Sequence, residues 1–176
     1  MKRIYVLRHA KTELGDAHLQ DHERQLIERG REDALNLGKF ITSQGYPIDM
    51  VASSDSKRTT QTYETLCKGM QQTPQVQFDR GLYLASCGDL IDYCQQLDDA
   101  IEHVMLIGHN PGLHHFCLTL AESGDADAMA HAELKFPTSA LAVIDCDCDS
   151  WDAIRPDIGY LKAYWDRHQV KEALAA

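Results

Sequence analysis

Two short apolar segments, each followed closely by a histidine, constrain the fold of this chain more than any other feature. A run at 4–7 leads into Arg8-His9, and a run at 104–107 is separated from His109 by one glycine. Four consecutive apolar residues bounded by polar ones are typical of strands buried on both faces, as in parallel sheets. Parallel strands need long crossover connections, which are usually helical. The chain is therefore predicted to alternate strands with helices.

The rest of the sequence supports this alternation. Apolar residues recur at helical spacing after most of the predicted strands. The predicted strands are 3–8, 49–53, 75–78, 103–108, 139–145 and 159–165. The predicted helices are 26–43, 55–70, 87–98 and a segment from Pro111 to about 122, with polar loops at 10–25 and 123–133. This order indicates an α/β fold with three layers. A mostly parallel central sheet carries helices on both faces, with an antiparallel strand near the end.

Composition limits the kinds of partner. The 176 residues are predicted to form a single domain, and the formal net charge is −10. This charge argues against nucleic-acid or anionic-membrane binding, because both require a basic face. Arg8 interrupts the first apolar run after four residues, too early for a signal peptide, and no stretch has the length of a membrane span. We therefore expect a cytoplasmic protein.

Basic side chains are expected to converge at one edge of the predicted sheet. His9 and His109 follow the carboxyl ends of two strands, and Arg58 lies in the first turns of the helix after another strand. Ligands of open α/β sheets bind outside the carboxyl ends of the strands. With Arg8 at the end of the first strand, two arginines and two histidines would surround a small anion.

These residue types suit the transfer of a phosphoryl group. Such a transfer needs positive charge on three equatorial oxygens and an in-line nucleophile. Arginine supplies a bidentate fork for phosphate oxygens. A neutral imidazole is a competent nucleophile near neutral pH, because its pKa is about 6.5. One histidine is expected to attack as the neutral form while the other, protonated, holds an oxygen.

The chain contains the motifs Arg8-His9-Ala10, Ser53-x-x-x-x-Arg58-x-x-Gln61-Thr62 and Gly108-His109-Asn110-Pro111. These three motifs resemble the histidine phosphatase superfamily, and more narrowly its SixA-like phosphohistidine phosphatase branch. Similar segments are also present at 21–26 and 82–85, so the resemblance spans nearly the whole chain. It implies a phosphoglycerate mutase-like fold. It also implies that His9 is the nucleophile that becomes phosphorylated, and that Arg8, Arg58 and His109 form the phosphate pocket.

The chain departs from the superfamily pattern in two places. Ala10 replaces the glycine that usually follows Arg-His. The members that cleave phosphate esters carry a glutamate after the third strand as proton donor, whereas the stretch 79–85 contains none. Asp79 and Asp89 are the nearest carboxylates. A phosphorylated imidazole leaves as imidazole and needs far less acid assistance than an alkoxide, so the pocket suits P–N cleavage.

The sequence therefore predicts a metal-independent phosphatase, without a cofactor, that hydrolyses phosphohistidine through a phosphohistidine intermediate on His9. The partner would be a phosphorylated protein or a small phosphorylated molecule. A phosphomonoesterase for a small metabolite, with Asp89 or water as proton donor, and a non-catalytic phosphate-recognition domain are the alternatives. The sequence does not specify the oligomeric state.

The loop before the first helix contains two further groups of basic side chains. Arg24 is expected to pair with Asp21 or to cap the loop rather than to contact substrate. His18 and His22 have the i, i+4 spacing of a metal site, but no third ligand is in register. We expect both to lie in a solvated loop.

Overall fold

Seven strands form one sheet in the order β3-β2-β4-β1-β6-β7-β5. The structure is a computed structural model that describes residues 1–15 and 18–176. The strands are β1 Lys2–Arg8, β2 Met50–Ser54, β3 Gln75–Asp79, β4 His103–Gly108, β5 Ala121–Gly124, β6 Leu141–Cys146 and β7 Gly159–Trp165. The helices are α1 Glu28–Ser43, α2 Lys57–Met70, α3 Cys87–Cys94, α4 Gly112–Leu120, α5 Ala126–Leu134 and α6 Arg167–Ala175.

The direction of the strands confirms the predicted sheet. Strands β3, β2, β4 and β1 are parallel neighbours. Strand β6 is antiparallel to both β1 and β7, while β5 pairs with β7 in parallel. The antiparallel strand β6 therefore lies inside the sheet, and the other six strands share one direction.

Strand β1 shows how the sheet separates two layers of helices. Ile4 and Val6 pack into a core with residues of α3, α4 and α5. Tyr5 and Leu7 pack into a second core with residues of α1, α2 and α6. Successive side chains of a strand point to opposite faces, so the four apolar residues supply both cores. This arrangement confirms the prediction of helices on both faces.

Several predicted boundaries were wrong. The helix predicted at 87–98 ends at Cys94, and the one predicted to reach about 122 ends at Leu120 and continues directly into β5. The loop predicted at 123–133 contains the end of β5 and most of α5. Helix α6 was not predicted. The loop predicted at 10–25 includes residues 16 and 17, which lie outside the described residues.

The topology brings three strand ends together. Strands β2, β4 and β1 are adjacent and parallel, so Ser54, Gly108 and Arg8 end them at the same edge of the sheet. None of the helices in the described ranges is long and apolar enough to cross a membrane.

Candidate active site

A cavity of about 390 Å³ opens at this edge of the sheet. All four predicted site residues, which are His9, Arg8, Arg58 and His109, line it. The rings of His9 and His109 lie with their centroids 5.4 Å apart. The remaining lining residues are Lys11, Thr12, Asp21, Arg24, Leu84, Asn110 and Thr138. Segments distant in sequence therefore meet in one cavity, as the strand ends predicted.

His9 is buried, and its local contacts define which nitrogen can react. Its Nδ1 lies 2.8 Å from the carbonyl oxygen of Ala10. A carbonyl can only accept, so Nδ1 carries the proton and Nε2 keeps its lone pair. Burial, followed by the nearby Arg58 and Arg8, lowers the pKa of His9 to about 3. The imidazole is therefore neutral at physiological pH, with Nε2 as its nucleophilic atom.

His109 is oriented by the end of β2. Its Nε2 lies 2.9 Å from the hydroxyl of Ser54. That hydroxyl already accepts from the backbone N–H of Ser56, so its own proton is available to Nε2. With the Ser54 hydroxyl as donor to Nε2, the ring proton lies on Nδ1, a buried atom that has no hydrogen-bond partner among the described residues. A donor without a protein acceptor is suited to an oxygen of a bound anion.

The protonation of His109 differs from the sequence-based prediction. Burial and the charge of Arg58 lower its pKa to about 2, whereas a protonated partner for His9 was expected. Both imidazoles are neutral in this arrangement. A phosphoryl dianion beside His109 would raise its pKa again, because a nearby opposite charge favours the charged form. Even in its neutral form, Nδ1–H remains a donor.

Among the described residues, no carboxylate balances the positive charge of Arg8. Its Nη1 donates to the carbonyl of Phe136 at 2.9 Å, and Asn110 Nδ2 donates to the same oxygen at 2.8 Å. Arg8 forms no ion pair within the described ranges, and its buried Nε has no partner there. Burial and the charge of Arg58 both lower its pKa. A half-buried cation of this kind is stabilised by an anion.

Arg58 is almost completely buried and is bound from the loop before α1. Its Nη1 donates to the main-chain oxygen of Asp21 at 2.6 Å, and its Nη2 donates to Asp21 Oδ2 at 2.9 Å. The guanidinium carbon lies 5.7 Å from the centroid of the Tyr83 ring. Arg58 therefore faces the cavity but shares its donors with a carboxylate that sequence reasoning did not assign to the site.

The other residues of the second motif connect the parts of the site. The Thr62 hydroxyl accepts from the backbone N–H of Ala10 at 3.0 Å and donates to the carbonyl of Arg58 at 2.6 Å. Gln61 Oε1 accepts from the backbone N–H of Leu26 at 2.8 Å. This motif therefore holds the residue after His9, the helix that carries Arg58, and the end of the preceding loop.

The remaining sequence-based candidates lie away from the cavity or are already bound. Asp89 completes a capping box with Ser86 at the start of α3, as its spacing from Ser86 indicates. Asp79 accepts from the backbone N–H of Gly81. Neither lines the cavity. The carboxylate that does is Asp21, which lies in a segment quoted for the resemblance but given no role.

The two loop histidines and Arg24 can now be placed. His22 binds Asp55 through Nε2 at 2.7 Å and Glu23 through Nδ1 at 3.1 Å, so its prediction as a solvated loop residue was wrong. His18 is exposed. Arg24 pairs with Asp21 as predicted, yet it also lines the cavity. Across the described residues, no three His, Cys, Asp or Glu side chains are grouped so that they could bind a metal ion.

The buried histidines predict a loss of stability in weak acid. Below about pH 6.5 an unfolded histidine takes up a proton, but native His9 and His109 remain neutral because their pKa values are lowered. The free energy of unfolding should therefore fall as the pH decreases from about 6.5 towards 3, by up to about 1.4 kcal/mol per pH unit for each histidine. Urea denaturation at pH 7, 6 and 5 measures this slope.

The variant His109→Gln provides the comparison. Glutamine does not bind a proton, so the unfolded variant takes up one proton fewer than the unfolded wild type. The slope of its free energy of unfolding between pH 7 and pH 5 should therefore be shallower than that of the wild type. Equal slopes in the two proteins would contradict a neutral native His109.

Known proteins with similar sequences and structures place the chain in a class. Residues 4–96 match the histidine phosphatase superfamily (branch 1). An uncharacterized protein of Mycobacterium leprae is 29% identical over 143 residues, which cover 79% of this chain and 86% of that protein. A structure designated phosphohistidine phosphatase SixA, from Agrobacterium tumefaciens, has a TM-score of 0.73 at 28% identity and covers 82% of this chain and 92% of its own.

A phosphoglycerate mutase from Bacillus anthracis superimposes with a TM-score of 0.65 at 16% identity, covering 98% of this chain and 96% of its own. This similarity confirms the phosphoglycerate mutase-like fold. The match over 4–96 shows that the chain belongs to the histidine phosphatase superfamily. Within that superfamily the chain is SixA-like, as the three motifs predicted.

Proposed function

We propose that this protein is a phosphatase that transfers a phosphoryl group from a phosphorylated histidine to His9 and then hydrolyses the new phosphohistidine. The observation that carries this proposal is that a neutral His9 shares the cavity with Arg8, an arginine whose charge no described carboxylate balances. His9 Nε2 keeps its lone pair, and the half-buried Arg8 in the same cavity has no carboxylate partner among the described residues. A bound phosphoryl group would supply the missing anion.

The reaction has two displacements at phosphorus. In the first, His9 Nε2 attacks in line, the bond between phosphorus and the substrate imidazole breaks, and that imidazole leaves with its electron pair and takes a proton from solvent. In the second, water attacks phosphorus, the bond to Nε2 breaks, and inorganic phosphate forms with neutral His9. Arg8, Arg58 and His109 Nδ1–H would stabilise the equatorial oxygens in both steps.

The carboxylates of the chain support a nitrogen-linked substrate. Asp21 is the carboxylate that lines the cavity, and hydrogen bonds from Tyr83 and Arg24, together with the charge of Arg58, hold its pKa well below the usual range. It is therefore ionised at neutral pH and poorly suited to protonate a leaving group. A departing alkoxide needs a general acid, whereas a departing imidazole needs far less assistance.

A comparison of substrates tests this proposal. We expect a phosphohistidine peptide to be hydrolysed at least about a hundredfold faster than a phosphoserine peptide of the same sequence or a sugar phosphate, because general-acid assistance is worth that much for a poor leaving group. Release of phosphate measures all three rates. Addition of EDTA should not change them, since arginine and imidazole are proposed to neutralise the phosphoryl charge.

The variant Asp89→Asn separates this proposal from a phosphomonoesterase that uses Asp89 as its acid. Asp89 is exposed and bound in the α3 capping box, so the variant should change phosphohistidine turnover less than threefold. Comparable rates on all three substrates, with collapse of activity in Asp89→Asn, would support the monoesterase instead. Binding of phosphate with no turnover of any substrate would indicate a phosphate-recognition domain.

A further inference from the structure

A carboxylate occupies part of the proposed phosphate pocket. Asp21 lies in the loop between β1 and α1, and both of its carboxylate oxygens bind cations of the cavity. Oδ2 accepts from Arg58 Nη2 at 2.9 Å, and Oδ1 accepts from Arg24 Nη1 at 3.0 Å. The hydroxyl of Tyr83 donates to Oδ2 at 2.6 Å. Three groups from three parts of the chain therefore hold this side chain against the site.

Asp21 differs in charge from every other ionisable residue that lines the cavity. The other charged residues among the described lining are Arg8, Lys11, Arg24 and Arg58. The hydrogen bond from Tyr83 and the neighbouring arginines lower the pKa of Asp21, so it carries a full negative charge at neutral pH. Among the described residues, the cavity thus combines a basic lining with one carboxylate that is ionised at neutral pH.

Asp21 and a phosphoryl group would share one guanidinium. Arginine has five N–H donors, and Asp21 uses one on each terminal nitrogen of Arg58. The Nε of Arg58 is buried and has no partner among the described residues, so donors remain for a second anion. Two anions bound to the same cation repel each other, and each weakens the binding of the other.

We propose that Asp21 competes electrostatically with phosphate for Arg58 and Arg24, holding these arginines in place while it weakens the retention of the phosphate product. This inference rests on the proposed function, because it takes the cavity to be a phosphoryl site. The phosphoryl groups of substrate and product meet the same arginines, so the effect applies to both. Asp21 is then a residue that sets the affinity of the pocket for phosphoryl groups and favours release of phosphate over tight binding.

The affinity of the protein for inorganic phosphate tests this role, because the proposal and a merely structural role of Asp21 predict opposite changes in the Kd. The variant Asp21→Asn keeps the shape of the side chain but removes its charge. We expect the Kd for phosphate, measured by isothermal titration calorimetry, to fall at least about tenfold, the lower end of what one neighbouring charge does to an ionic equilibrium. A merely structural role would produce the opposite sign, because a misplaced Arg58 would bind phosphate more weakly.

Kinetics provide a second readout. The KM for the phosphohistidine peptide and the inhibition constant for phosphate should fall together in Asp21→Asn, with no increase in kcat, because binding ground state and transition state equally does not accelerate the chemical step. The matched control is Glu122→Gln, which removes one negative charge from the exposed strand β5 at the far edge of the sheet. Its phosphate affinity should equal that of the wild type.

The outcomes separate this inference from the proposed function. Phosphate affinity that is unchanged or weaker in Asp21→Asn, with wild-type turnover intact, overturns the inference alone. Failure of the wild-type protein to bind phosphate overturns the anion pocket and both proposals with it. Circular dichroism checks folding, and Asp21→Ala is the second variant, for which tighter phosphate binding is also expected. Unfolding of both variants would make Asp21 a structural residue and overturn the inference.

Discussion

Replacement of His9 by alanine should reduce turnover of phosphohistidine by at least about 10⁴-fold, the scale on which loss of a covalent nucleophile acts. The reason is that this ring lines the cavity with its Nδ1 proton donated to the carbonyl of Ala10, which leaves the lone pair of Nε2 for the proposed attack on phosphorus. The fold should remain intact, because His9 lines a cavity and belongs to neither of the two large apolar cores. Steady-state phosphate release and thermal unfolding measure the two effects.

Trapping of the intermediate complements this variant. Wild-type protein quenched during turnover should carry a phosphoryl group that is labile in acid and stable in base, as a phosphorylated imidazole is, and His9→Ala should carry none. His168→Ala is the matched control, because it removes an exposed imidazole from α6. Substantial turnover by His9→Ala would contradict the mechanism.

Replacement of Arg8 by alanine should lower kcat/KM by about 10²- to 10³-fold, the effect of losing one preorganised donor to a developing anion. Arg8→Lys should recover part of this loss, since lysine restores the charge without the bidentate fork. We expect no comparable loss of thermal stability, because the guanidinium is half-buried, lies near the like charge of Arg58 and has no carboxylate partner in the described structure. Kinetics and thermal unfolding of both variants measure this.

Arg155→Ala is the control for Arg8. It removes an exposed arginine whose side chain donates to the nearby main-chain carbonyl of Ala153, and its activity should equal that of the wild type. A fall in the stability of Arg8→Ala as large as its fall in activity would instead indicate that Arg8 is a structural residue.

The sequence predicted those elements that depend on interactions between residues close together in the chain. The run at 4–7 predicts a strand buried on both faces, and β1 supplies both cores. Ser86 and Asp89 predict a helix start, and the capping box is present. Helix α5 was not predicted, because its alanine-rich segment buries only Ala128 and Ala132 and shows little apolar periodicity. Its signals were the helix propensity of alanine and the cap at Asp125.

Strand β5 and helix α6 were missed for different reasons. Strand β5 continues directly from α4, and its pairing with β7 joins residues far apart in the chain, so no local pattern specifies it. Helix α6 begins with a capping box between Asp166 and Gln169 that could have been read from the sequence. Its apolar signal is weak, because Val170 is its one buried residue.

From the sequence alone, the resemblance of three motifs predicted the superfamily. The four residues proposed for catalysis were predicted as well, because histidines and arginines at strand ends and in the first turns of a helix are visible in the order of the residues. Only the tertiary structure determined the tautomers, the hydrogen bonds and the charge environment of that site. The tautomer of His9, the hydrogen bond from Ser54 to His109 and the binding of Asp21 to Arg58 depend on distances between side chains. The last two join residues more than thirty positions apart. Burial and charge at such distances set pKa values and donor geometry, and a linear sequence carries no measure of either.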